Sequence, residues 1–408
     1  MLPAACILAL NTRMEESKGE NMMRRWILIA LFILLLALVL VWGARTGANK
    51  GSYLMYIGTY TDHSSKGIYA YRFDAETGHA TSLGLAAETS NPSFLTINPK
   101  KKFLYAVNEI SEYEGQKTGG VSAFTIDPKT GKLAFLSEVS SEGPGPCHVT
   151  LDRTGKYVLV ANYDGGSVAS YPVLDDGRMG KPSAKVQHTG HGADPERQAK
   201  PHAHWIGLSP DNRFAMAVDL GLDKVLIYRF DQAKGTLVPN DPAYAAVDAG
   251  AGPRHFALDP GGKFGYVINE LGSTITAFSY DGKRGTLQKI QTISTLPDDF
   301  KGKNDTAEIV VHPDGKFLYG SNRGHDSIAV FAIDRAKGTL KRTDDVSTQG
   351  KTPRNFEIDP SGSFLFAADQ DSDKVVVFRI DLHTGHLTPT GEVLQVPSPV
   401  CVRLVALQ

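Results

Sequence analysis

The sequence predicts an all-β fold: a seven-bladed β-propeller over residues 51–408, closed by pairing of the C-terminal strand into the first blade and preceded by an N-terminal hydrophobic helix. Two observations carry this. One four-stranded unit recurs six times at a spacing of about fifty residues, and an incomplete piece of the same unit stands at each end of the series. The strands are also short and alternate apolar with polar residues, and their turns carry Asp-Gly, Gly-Lys and Thr-Gly, which suit antiparallel hairpins.

Each unit reads as an opening Pro or its substitute, an alternating strand, a turn, a second strand such as "FLYAVNE", a third such as "GGVSAFTID", and then "TGKL". Units open at Pro92, Pro146, Ala203, Pro253, Thr306 and Pro353. Ahead of them, "SYLMYIGTYT" and "GIYAYRFDAETG" supply the later strands of a unit whose first strand is missing. The tail "PSPVCVRLVAL" supplies that strand, so the ends of the chain should meet in one blade. Closure removes exposed sheet edges and makes the last residues essential to stability. Kelch and WD40 signatures are absent from the units.

From Trp26 to Trp42 every residue is apolar, with Arg24 and Arg25 in front, the layout of a signal peptide or membrane anchor. Ala48, with Thr46 before it, offers a cleavage site, and Met22 with Met23 offers a later start, making residues 1–21 a non-structural extension and 22–50 the export segment and linker. The basic flank places the propeller outside the cytoplasm, periplasmic or extracellular, with residues 26–42 as the only contact with a membrane. The 43 basic and 44 acidic residues nearly cancel, which gives no field for a nucleic acid. With only Cys6, Cys147 and Cys401, a disulfide framework is excluded.

Repeated units act as controls for one another. The second strand of each full unit ends in Asn or Asp, at Asn108, Asn162, Asp219, Asn269, Asn322 and Asp369, an expected structural role tying down backbone at a turn. The next position varies in chemistry: Glu109, Tyr163, Leu220, Glu270, Arg323 and Gln370. The opening strands, expected to line the channel, vary too. Their first places hold Ser93, Cys147, His204, Arg254, Ala307 and Arg354, and their second places Phe94, His148, Trp205, His255, Glu308 and Asn355. Arginines, histidines and glutamates from distant parts of the chain should therefore converge at one channel mouth, where acid-base chemistry or ion binding is found. The long connection "HTGHGADPERQAKPHAH" reads as a binding loop, with His188 and His191 expected to be solvent-exposed.

The motifs "YIGTYT", "YAVNE", "PCHV", "ANYDGGSV", "PHAH", "GAGPRHF", "NELGST", "SNRGHDSI" and "TPRNF" resemble those of the propeller lactonase family, which includes bacterial 6-phosphogluconolactonases and the carboxymuconate lactonizing enzyme. The resemblance implies a small acidic lactone as substrate and no metal or other cofactor. Carried over by motif, it implies catalytic roles for His204, Arg254, Glu270 and Arg323, with His202 as the substitute if the histidine register shifts. Substrate-orienting roles then fall to His148, His202, His255, Glu308, Arg354 and Glu109. Lactone hydrolysis needs an activated water and a stabilised oxyanion. His204 or Glu270, brought near neutrality by burial and neighbouring charge, is the expected base, with Arg254 and Arg323 expected to grip the substrate anion.

Other readings remain open at this level. They are ring closure of the muconate type, a Cys147 nucleophile, a metal held by His148, His204, His255 and Glu308, and a binding propeller without catalysis.

Overall fold

The computed structural model describes residues 51–407, and these form seven four-stranded antiparallel sheets. The expected N-terminal helix, export segment and extension lie outside the described residues. Blades two to seven each run in chain order from the channel outward, beginning at Leu95, Pro146, Ala203, Pro253, Asp305 and Pro353. Blade one takes its innermost strand, Pro399–Ala406, from the tail, and Tyr53 pairs with Ala406 while Ile57 pairs with Val402. The propeller fold read from the repeat is therefore the fold observed. No helix among the described residues is long and apolar enough to cross a membrane.

Blade-to-blade packing explains the repeat's consensus. Gly338, at φ +73°, turns the outer hairpin of blade six, and a Cβ there would lie 2.2 Å from the ring of Phe264, which opens the second strand of blade five. Gly385 stands in the same relation to Phe317, and Gly78 to Phe364 across the seam between blades one and seven. The turn glycine and the aromatic residue after "GK" or "GS" thus form one inter-blade contact, and only glycine both accepts the left-handed backbone and leaves room for the ring.

The second-strand Asn residues reach between blades as expected. Asn162 Nδ2 donates to the Ser141 carbonyl at 2.9 Å, and Asn322 Nδ2 to the Thr295 carbonyl at 3.0 Å. Blade four keeps the link with altered chemistry: Asp219 accepts from His188 Nδ1 at 2.6 Å and from the His202 amide at 2.8 Å. His188 is consequently buried, not exposed as expected, and its Nε2 meets the Tyr228 hydroxyl at 3.0 Å. Asp369 departs from the pattern, because both of its buried oxygens are without a hydrogen-bond partner.

Candidate active site at the channel mouth

The opening strands share an irregularity that builds the site. Pairing with the second strand slips between Pro146 and His148, Ala203 and Trp205, Pro253 and His255, and Pro353 and Asn355. Each slip is a bulge, so Cys147, His204, Arg254 and Arg354 are the extra residues, re-aimed relative to a regular strand. Neighbours that strict alternation would send to opposite faces, such as Arg254 and His255, then occupy successive levels of the channel. In blade six the slip spans Ala307 and Glu308, and carbonyls at and beside it accept from arginine side chains. Arg254 Nη1 donates to the Ala307 carbonyl at 2.8 Å and Arg323 Nη2 to the Thr306 carbonyl at 2.9 Å.

A cavity of about 260 Å³ at this mouth is lined by Glu109, Cys147, Tyr163, Arg197, His204, Glu270, Asp305, Arg323 and Arg354. Glu270 is its keystone. Its Oε2 lies 2.9 Å from Arg323 Nη2 and 3.1 Å from Arg254 Nε, and its Oε1 accepts from Arg197 Nη2 at 2.6 Å. The Arg254 Nε contact is one of charge, since that N–H is not aligned for a hydrogen bond. Burial would raise the Glu270 pKa, but Arg323, Arg254 and Arg197 overcome it and hold the carboxyl at about 2. Arg254 is pushed down to about 10 by burial, then by the like charges of Arg354 and Arg323.

His204 is fully enclosed, with Nδ1 3.7 Å from the Cys147 sulfur. Burial first, then Arg254, His255 and Arg354, drives its pKa well below the ordinary imidazole range, so the ring is neutral. Neither proposed base is therefore tuned to neutrality. Glu270 is an anion at neutral pH and His204 a neutral ring, and Arg254 and Arg323 both contact Glu270. Cys147 does meet a histidine, His204 and not the adjacent His148, but burial and then Glu109 raise its pKa, keeping it a thiol.

On the far wall, Arg354 Nη2 donates to the Tyr60 hydroxyl at 2.8 Å, and that hydroxyl donates to Glu109 at 3.0 and 3.1 Å. Below, a chamber of about 10 Å³ is lined by Ser93, Phe94, Glu109, Cys147, Arg254, His255, Arg354 and Val400.

His148, His255 and Glu308 lie deeper still. His255 Nδ1 bonds Glu308 Oε1 at 2.9 Å, Asn355 Nδ2 bonds the other oxygen, and the His148 ring packs 4.2 Å from Phe94. They form a polar plug under the pocket rather than part of its wall. His202 stacks on Tyr163 at 4.3 Å between ring centroids and faces its carbonyl at 3.0 Å, outside the cavity lining. Among the described residues, no group of three or more His, Cys, Asp or Glu side chains is placed to hold a metal ion.

Sequence reasoning missed Arg197 and Tyr60. Arg197 lies in the long connection singled out for binding, which Gln198 ties down through bonds to the Leu220 carbonyl and Asp223, both at 2.7 Å. Tyr60 follows the second strand of blade one, the place occupied by Glu109 and Glu270 in their blades.

Four guanidinium groups and three carboxylates around a cavity sized for one small molecule define a propeller with a single-mouth polar site. The chain matches the family described as lactonase, 7-bladed beta-propeller, over residues 54–404, and belongs to it. It is 39% identical over 351 residues to a 6-phosphogluconolactonase of Bacillus subtilis, covering 86% of this chain and 98% of that one. A second 6-phosphogluconolactonase, from Formosa agariphila, is 35% identical over 310 residues, 75% of this chain and 86% of the relative. The solved structure of a periplasmic gluconolactonase from Pseudomonas aeruginosa superposes with a TM-score of 0.82 at 36% identity, covering 88% of this chain and all of that one.

Proposed function

We propose that this protein is a lactone hydrolase of the 6-phosphogluconolactonase type, opening the ring ester of a sugar-acid lactone in the channel-mouth pocket. The observation that carries the reading is the arginine-bridged Glu270 at the wall of a cavity of about 260 Å³, in a chain of the lactonase family. Arginine N–H groups placed before the substrate arrives stabilise the oxyanion that forms when water adds to the ester carbonyl. Arg323 Nε is buried with no acceptor, so donor capacity remains after Glu270 is satisfied. Glu270 keeps these like-charged groups close together, and neutral His204 offers a ring nitrogen for a substrate hydroxyl without adding charge.

The pocket carries four cationic against three anionic side chains, a balance suited to a neutral lactone and its singly charged product acid. The protein acts outside the cytoplasm on this reading, supported by the apolar run at 26–42 and by likeness to a periplasmic gluconolactonase. The proposed division is extension 1–21, export segment 22–50 and catalytic propeller 51–408. The test is hydrolysis by purified protein of a panel of aldonolactones, with and without a phosphate group. Turnover of at least one above the spontaneous rate is expected, and binding without turnover across the panel would leave a binding propeller instead.

A further inference from the structure

The pocket holds two glutamates of opposite availability. Glu270 has three arginines against its two oxygens, so its negative charge is already countered and it is a poor acceptor for a proton from water. Glu109 receives a single proton, that of the Tyr60 hydroxyl, shared between its two oxygens at 3.0 and 3.1 Å. A carboxylate has about four acceptor sites. Glu109 also lines both the substrate-sized cavity and the chamber of about 10 Å³ beneath it, which has room for roughly one water molecule.

The support for Glu109 is rigid. Its amide donates to the Asn91 carbonyl at 3.0 Å, and Asn91 Nδ2 returns a bond to the Glu109 carbonyl at 3.3 Å. The same Asn91 side chain accepts from the Thr61 amide at 2.7 Å, fixing the chain beside Tyr60. Arg354 occupies a lone pair of the Tyr60 oxygen at 2.8 Å, so the phenolic proton is directed at Glu109. Two carboxylates in one site, one neutralised by cations and one left with open acceptors, is the arrangement that separates an electrostatic group from an acid-base group.

We propose that Glu109 is the general base of the hydrolysis, with Tyr60 and Arg354 as its positioning residues. This rests on the lactone-hydrolase reading. Glu109 takes one proton from a water whose oxygen bonds to the lactone carbonyl carbon, and the carbonyl π pair moves onto oxygen. When that pair returns, the ring C–O bond breaks and the leaving alkoxide takes the proton back from Glu109. The product is the hydroxy acid, which loses a proton to solvent, and Glu109 ends as it began.

The test is steady-state hydrolysis of D-glucono-1,5-lactone by the full chain and by three variants, each checked for its thermal transition. Glu109→Gln is expected to lower kcat by about 100-fold or more with KM changed by less than about threefold. Tyr60→Phe, which keeps the carboxylate but loses its orienting bond, should lower kcat by about tenfold with KM changed by less than about threefold. Adding formate should restore turnover to Glu109→Ala, which a purely structural role would not allow. Retention of kcat by a folded Glu109→Gln, or loss without formate rescue, overturns the assignment while leaving the hydrolase reading intact. A wild type inactive on this lactone and on the wider panel removes both.

Discussion

Arg354 and Tyr60, 294 positions apart, are joined by a 2.8 Å hydrogen bond across the seam between the seventh and first blades. That bond depends on ring closure, since Tyr60 follows a strand whose inner partner is the C-terminal segment, and the Tyr60 amide itself bonds the Ser398 carbonyl at 3.2 Å.

Removing residues 399–408 should therefore do more than shorten the chain. It strips blade one of its inner strand and exposes the edge of Ser52–Thr59, while Leu54 and Tyr56 lose their buried setting. The truncated protein is expected to lose its cooperative thermal transition by circular dichroism and to aggregate. A sharp transition within a few degrees of the full chain would show that closure is dispensable.

Asp369→Asn should stabilise the protein, most at neutral pH and above. Burial first raises the Asp369 carboxyl to about 7 from its ordinary 3.8, outweighing the opposing pull of Thr348 and Lys374. The favourable contribution is full below pH 3.8 and is lost as pH rises to about 7, where the buried group must ionise. An amide has no such cost and can donate to the Thr348 carbonyl, as Asn162 and Asn322 do in their blades. The gain expected in denaturant unfolding above pH 7 is on the order of 2 to 4 kcal/mol, vanishing near pH 4. Equal stability of both proteins at pH 8 would contradict it.

Glu270 gives the opposite pH dependence. Its folded pKa of about 2 lies below the ordinary 4.5, so its contribution is present above 4.5 and lost as pH falls toward 2. Glu270→Gln leaves three arginines without their anion and should cost about 3 to 5 kcal/mol at pH 7 while reducing lactone turnover. The acid limb of the wild-type stability curve below pH 4.5 should flatten in this variant. An unchanged limb would mean that Glu270 is not held by its arginines in solution.

The fold was legible because each blade repeats the same inter-blade contacts, such as Gly338 on Phe264, and such contacts leave a fixed consensus. The site was legible where blades could be compared position by position, which brought out Glu109, Glu270 and Arg323. Tyr60 escaped because its blade is split between the chain ends and was left out of that comparison. Arg197 escaped because it sits in a connection that has no counterpart in other blades. The bulges were also hidden: they arise from pairing between strands, and nothing local in "PRHF" or "PCHV" announces them. Composition likewise could not distinguish a free glutamate from one held by three arginines, the difference on which the proposal of Glu109 rather than Glu270 as base rests.

The central claim is that arginines from different blades act together on a lactone at one channel mouth. The most direct test is kcat/KM for D-glucono-1,5-lactone measured for wild type and for Arg323→Gln, whose guanidinium touches Glu270 and the Thr306 carbonyl. A fall of about 100-fold or more in a folded variant is predicted. Undiminished turnover by Arg323→Gln would place the chemistry elsewhere.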